Sequence, residues 1–173
     1  MARYNRWPDT RLDACVAGLH EEAYRRDRSA SFGSVHRTLN HLLLVDRLWS
    51  ARIGHREPGI GSLNQILFQG FQGTKDARVG EDEKLIAVVN GLSEADLEAP
   101  DRHRRITGDG LEEARAGHIL VTLFNDQSHR RGQVHVMLTQ AGVAPPPLDN
   151  IDYSEEVGGA GPRGTIVARA DWL

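Results

Sequence analysis

The residues with the most chemical capacity lie in one helical stretch, 116–141. Steps of three and four give Ile119, Leu123, Asp126, Arg130, Val134 and Met137, with Gln133 beside Val134. A helix with such a stripe turns that face to a core, yet two of its positions hold a carboxylate and a guanidinium, one turn apart. Burying an isolated charge is so costly that these two must be paired, solvated in a cavity or bound to something. His129 lies about 60° around the axis from Asp126, and Asn125 and Gln133 add polar groups nearby. Two readings follow. One is an Asp–Arg pair within the helix with no further role. The other is a polar pocket in a bundle core, lined by Asp126, His129, Arg130 and Gln133.

A second polar interruption is His41, in a run that otherwise reads Leu39, Leu42, Leu43, Leu44 and Val45. Alone, it reads as a satisfied core histidine. Facing the break at 126–130, it reads as a ligand: His41, Asp126 and His129 converging from two helices form a workable nitrogen and oxygen set for a divalent metal. Arg130 then clamps an anionic substrate group and Gln133 orients it. Asp46 orients His41, pairs with Arg47 or Arg130, or faces water. His36 sits about 140° from His41 on the same helix and does not share its site. His20, His55, His103, His118 and His135 show no partner pattern and are read as structural or exposed. Arg102, Arg104 and Arg105 with His103 form a small basic cluster, read as a solvated face before a contact for an anionic ligand. A nucleophile elbow, a P-loop and a dinucleotide fingerprint are all absent, and Cys15, the only thiol, is read as packing.

Four segments must position these residues. The first runs from Tyr4 to His20, with Pro8 near its start. The second runs from Ser34, a plausible N-cap, to Ile53; its Leu42–Val45 run covers most of the circumference and predicts burial on several sides. Gly54–Gly61 is a loop, and Ser62–Phe71 is expected to make a helical turn or two. The third helix occupies Thr74–Leu92, and Ser93 caps a brief turn after it. His103–Thr107 and Leu111–Ala114 flank Gly108-Asp109-Gly110 as a small hairpin. The fourth helix spans Ala116–Ala141 and stops at Gly142, with prolines at 145–147. The tail from about 149 is glycine-rich and irregular, with Val167–Leu173 able to dock through Trp172. Long amphipathic segments with little strand material imply one all-α domain over 1–173, a four-helix bundle with a small β-hairpin, in which sites are built from side chains on facing helices.

Composition narrows the function. The chain has 173 residues with 39% apolar residues, enough to bury a core without a disulfide or structural metal. Its net charge of −3 argues against a nucleic-acid partner. A single cysteine excludes an intramolecular disulfide and a cysteine-based zinc site. No apolar run approaches the ~18 residues of a membrane span, and the first residues carry no signal-peptide core. A soluble cytoplasmic protein, with no membrane partner, is expected. Of the 21 basic residues only Lys75 and Lys84 are lysines; the arginines keep their charge when desolvated.

The chain resembles the DinB family of helical bundles over roughly residues 4–148. The resemblance rests on YNRW at Tyr4–Trp7, SFGSVHRTLNHLLLVDRLW at Ser31–Trp49, SLNQILF at Ser62–Phe68, GLSEADL at Gly91–Leu97 and FNDQSHRRGQVHVMLTQAG at Phe124–Gly142. It implies a four-helix bundle, often a homodimer, holding a divalent metal such as zinc or nickel through one histidine of the second helix and two ligands of the fourth. Members are described as metal-dependent hydrolases or thiol transferases acting on small molecules. The helix-2 ligand falls on His41, and the helix-4 ligands fall on Asp126 and Arg130, where the family usually has histidine. A carboxylate can bind a metal; a guanidinium has no lone pair to give. His129 matches a frequent family histidine beside the ligand position. Two functions are therefore expected. Either a remodelled set of His41, Asp126 and His129 holds the metal of an enzyme, with Arg130 and Gln133 on the substrate, or an Asp126–Arg130 pair replaces the metal in a stress-related ligand-binding or interaction module.

Overall fold

The computed structural model describes residues 1–106 and 110–158. Its elements run α1 (Ala2–Val16), α2 (Glu21–Arg25), α3 (Val35–Ile53), α4 (Phe71–Gly91), α5 (Glu94–Glu98), β1 (Pro100–Arg104), β2 (Leu111–Arg115), α6 (Ala116–Gln140) and α7 (Asn150–Val157). The long helices α1, α3, α4 and α6 form the expected bundle. α3 packs on α4 and α6, and α1 packs on the same two, so the ring order is α1–α4–α3–α6. α3 is buried almost all round, as its Leu42–Val45 run requires. Its first turn is capped by the Ser34 hydroxyl, which accepts from the Arg37 amide at 3.3 Å. α6 ends before Gly142, whose φ of +77° suits a residue without a Cβ.

The core divides along the bundle axis. One apolar cluster gathers Leu44, Val45, Leu85, Ile119 and Leu123, and the other gathers Leu12, Val35, Leu39, Val134 and Met137. On every long helix, buried polar residues fall between the two clusters: Asn5 and Asp9 on α1, Asp46 on α3, Arg78 and Asp82 on α4, Gln127 and Arg131 on α6. The bundle is thus apolar at both ends and ionic in the middle.

Three local expectations change. Ser62–Phe71 is not helical before α4 begins at Phe71, because side chains from α3 claim its backbone. The buried Asn40 accepts from the amides of Leu67 and Phe68 at 2.8 and 2.9 Å and donates to the Phe68 carbonyl at 3.1 Å. The hairpin strand starts at Pro100 rather than His103, with His103 opposite Glu112 and Pro100 opposite Arg115. The stretch from 149 opens with α7, whose Tyr153 packs edge-on against Tyr4 and Trp7. The hairpin tip at Thr107–Asp109, the later tail glycines and the proposed Trp172 anchor lie outside the described residues.

Candidate functional site

α3 and α6 are packed together, and the polar side chains singled out from the sequence meet between them. His41 Nδ1 lies 3.0 Å from the Leu63 carbonyl. A carbonyl only accepts, so Nδ1 carries the proton in that contact, and Nε2 is the ring nitrogen turned toward α6. That nitrogen is 3.7 Å from Asp126 Oδ2. The other carboxylate oxygen, Oδ1, accepts from Arg130 Nε at 3.0 Å. Burial pushes the Asp126 carboxyl up, but the His41 imidazole and the Arg130 guanidinium outweigh it and hold the group below the usual carboxylate range.

A residue the sequence reading missed completes the cluster. The Phe32 ring stacks on the His41 imidazole with centroids 3.9 Å apart and planes 24° apart. The Arg130 guanidinium lies 5.0 Å from the centroid of the same ring, close enough for cation–π attraction. The turn carrying Phe32 depends on Gly33, whose φ of +79° strains any residue with a Cβ. The signal was present as an aromatic beside a glycine just before the Ser34 cap. The cluster is open on one side: the side chains of Asp126 and Arg130 keep 26% and 19% of their exposure, against 6% for His41. Among the described residues, only Nε of the Arg130 guanidinium hydrogen-bonds to protein.

His129 is not brought to this group. It is exposed, with Nε2 3.2 Å from Gln133 Nε2, and Gln133 donates to Ser31 Oγ at 3.1 Å. Gln133 therefore borders the site at its rim. His41 is oriented as metal-bound histidines are, its far nitrogen fixed by a carbonyl, and Asp126 Oδ2 is a second donor facing it. The set stops there, because position 130 supplies a cation. Among the described residues no group of three or more His, Cys, Asp or Glu side chains is arranged to hold a metal ion. Two donors beside a guanidinium do not fit the three protein ligands that catalytic zinc uses.

The fully buried face of α6 keeps Ile119, Leu123, Val134 and Met137 of the sequence stripe but replaces Asp126 and Arg130 by their neighbours. It passes through Gln127 and Arg131, with 0% and 2% exposure. Arg131 donates to Asn5 Oδ1 at 2.7 Å and to Asp9 Oδ1 at 3.3 Å. Gln127 Nε2 donates to the Leu42 carbonyl at 3.0 Å and to Asp46 Oδ1 at 2.5 Å. Arg78 forms ion pairs with Asp46 at 2.5 Å and Asp82 at 3.3 Å. Asp46 is thus committed to Arg78 and Gln127, not to His41, Arg47, Arg130 or water as the sequence reading allowed. Arg47 instead meets Glu81 at 3.6 Å. Burial pushes Asp46 up to about 6 despite the Arg78 charge. Burial and the Asp9 charge push Asp13 up to about 7, and burial also raises Asp82.

Of the remaining histidines, His36 Nε2 lies 3.1 Å from the Phe68 carbonyl, a structural role. Cys15 is a free, half-buried thiol packed against the Leu12 cluster. No helix among the described residues is long and apolar enough to cross a membrane.

Comparison with known proteins agrees with this architecture. A family profile described as the DinB family matches residues 1–162. The fold is similar to the crystal structure of a DinB-like protein from Bacillus cereus ATCC 10987, with a TM-score of 0.62 and 17% identity over 82% of this chain and 90% of the other. No curated protein matches the chain.

Proposed function

The chain belongs to the DinB family, and from that premise we propose that it is a small-molecule-binding member in which Arg130 supplies the positive charge that a bound metal supplies elsewhere. The observation that carries this reading is the arrangement of Arg130 on Asp126, with Nε on one carboxylate oxygen and the imidazole of His41 facing the other. A fixed cation beside those donors opposes entry of a second one. The terminal nitrogens of Arg130 point to an anionic group on the ligand, since a guanidinium fork matches a carboxylate in two-point contact. Phe32 offers an apolar surface beside it, and Gln133 a polar rim.

The test is titration with benzoate, following the His41 ring, which is present in both the native chain and the variant, by NMR. A saturable shift that persists in EDTA and vanishes in Arg130→Gln is expected. No saturable shift, or binding that chelation abolishes, contradicts the reading. A second reading is favoured by the carbonyl-fixed ring of His41: His41, Asp126 and His129 hold zinc or nickel for a hydrolase or thiol transferase. It requires His129 to turn inward, and it predicts stoichiometric metal in protein purified without an affinity tag, lost in His129→Ala. A homodimer, a stress-related role and a cytoplasmic location belong to the same proposal, and light scattering at micromolar concentration reads the mass directly.

A further inference from the structure

Three arginines are buried among the described residues: Arg52, Arg78 and Arg131. Arg78 and Arg131 each meet carboxylates of the bundle interior. Arg52 does not. It is 8% exposed, yet among the described residues no carboxylate lies within ion-pair distance of it. Its protein contacts are one hydrogen bond from Nη2 to the Arg104 carbonyl at 2.5 Å and the face of Trp49, 4.8 Å from its guanidinium carbon. Burial pulls the affinity of this group for its proton down from the usual arginine value. The charges of Asp101, Glu112 and Glu57 offset that loss in part from beyond ion-pair distance, and a buried cation with no carboxylate in contact is unfavourable unless a partner arrives.

The space beside Arg52 fits such a partner. A cavity of about 850 Å³ lies between the 54–61 loop and the β-hairpin, within the range that takes a small organic ligand. Arg56, Arg104 and Arg105 border it with Arg52, so the basic cluster forms one wall, and these arginines outnumber the two carboxylates of the lining, Glu57 and Asp101. Arg105 is engaged with Glu112 at 3.4 Å, whereas Arg56 and Arg104 have no carboxylate partner among the described residues. Apolar contact comes from Ile60 and Ile106. His103, on the same wall, is held by Asp101, with 2.7 Å between Nδ1 and Oδ2.

We infer that this cavity is a second binding site, for a small organic molecule carrying a phosphoryl or carboxylate group, with Arg52 as its buried counter-charge. The site stands apart from the His41–Asp126–Arg130 cluster: Arg52 is eleven residues beyond His41 on α3, roughly 16 Å along the helix. It does not depend on the function proposed for that cluster.

Calorimetric titration of the full chain with phenyl phosphate and with benzoate, at fixed ionic strength, tests it. Saturable binding of either is expected, weakened about tenfold or more in Arg52→Gln and again in the exposed double variant Arg56→Gln/Arg104→Gln. Binding at this site is unchanged in Arg130→Gln, which separates it from the bundle cluster. Because no carboxylate among the described residues is in contact with Arg52, its substitution is expected to leave Tm unchanged or raise it. Absence of saturable binding by both probes overturns the inference. So does binding that, with Arg130→Gln also in place to silence the bundle cluster, survives in both Arg52→Gln and the double variant, or an Arg52→Gln protein that loses Tm while binding as before. The stronger of the two probes identifies the oxyanion.

Discussion

The same two helices, α3 and α6, carry two polar groups with opposite characters. The inner one joins Asp46 and Gln127 to Arg78, with Arg131, Asn5 and Asp9 alongside. It is closed on all sides between two apolar clusters. The other joins His41, Asp126 and Arg130 through Phe32, one residue further round α6, and opens to solvent. Both interrupt an apolar stripe, so both look alike in a list of residue types. Their burial separates them. A closed ionic layer specifies how the helices pack and is hard to alter; a half-open one costs little to alter and has groups left to offer a ligand.

That contrast predicts a graded series of effects. Arg78→Met leaves Asp46 and Asp82 without their cation and is expected to cost about 3–5 kcal/mol near neutral pH, read by urea unfolding. The loss should shrink toward pH 5, where the carboxylates take up protons. A second, smaller effect belongs to the native chain. Asp13 and Asp46 have folded values of about 7 and about 6, above the ordinary value of 3.8, so the folded state binds more protons than the unfolded state between those limits. The associated stability is complete below the ordinary carboxylate range and is lost as pH rises through about 6 to 7. Tm should therefore be higher near pH 5 than near pH 8, by several degrees in order of magnitude; a flat or rising profile would show that the inner layer is not strained by its excess of acid.

Smaller again is Gln127→Leu, which removes one hydrogen bond from Asp46 and one from the Leu42 carbonyl; a cost of about 1–3 kcal/mol is expected from the groups left unpaired. At the low end, Asp126→Asn should change stability by less than about 1 kcal/mol, as a pair still in contact with solvent contributes little. If Asp126→Asn unfolds the protein as readily as Arg78→Met, the distinction between a structural layer and a ligand-facing cluster fails.

Much of the scaffold was legible because local rules and tertiary packing agree there. The Leu42–Val45 run announced a buried helix, Ser34 its cap, and Gly142 the end of α6. The inner ionic layer was written at four-residue spacing, in Asn5 and Asp9, in Arg78 and Asp82, and in Gln127 and Arg131, but the three pairs gain meaning only when the helices are brought together. The apolar anchors of the α6 stripe are buried as read, and only its two polar positions were one residue off, because steps of three and four through those anchors admit either Asp126 and Arg130 or Gln127 and Arg131. Ser62–Phe71 looked helical from its apolar spacing; the Asn40 amide and His41 imidazole hold its backbone in another shape, and no local preference reveals that. Phe32 went unnoticed since its partners are distant in the chain.

The substitution Arg130→His tests the central claim most directly, since it exchanges the fixed cation for a lone-pair donor and frees Asp126 from its partner while His41 and Asp126 themselves are kept. Tag-free protein should be mixed with zinc or nickel, and bound metal and Tm measured for both forms. The account predicts that the variant takes up about one equivalent and gains Tm while the native chain does neither. Equal, stoichiometric uptake by the native chain would contradict it.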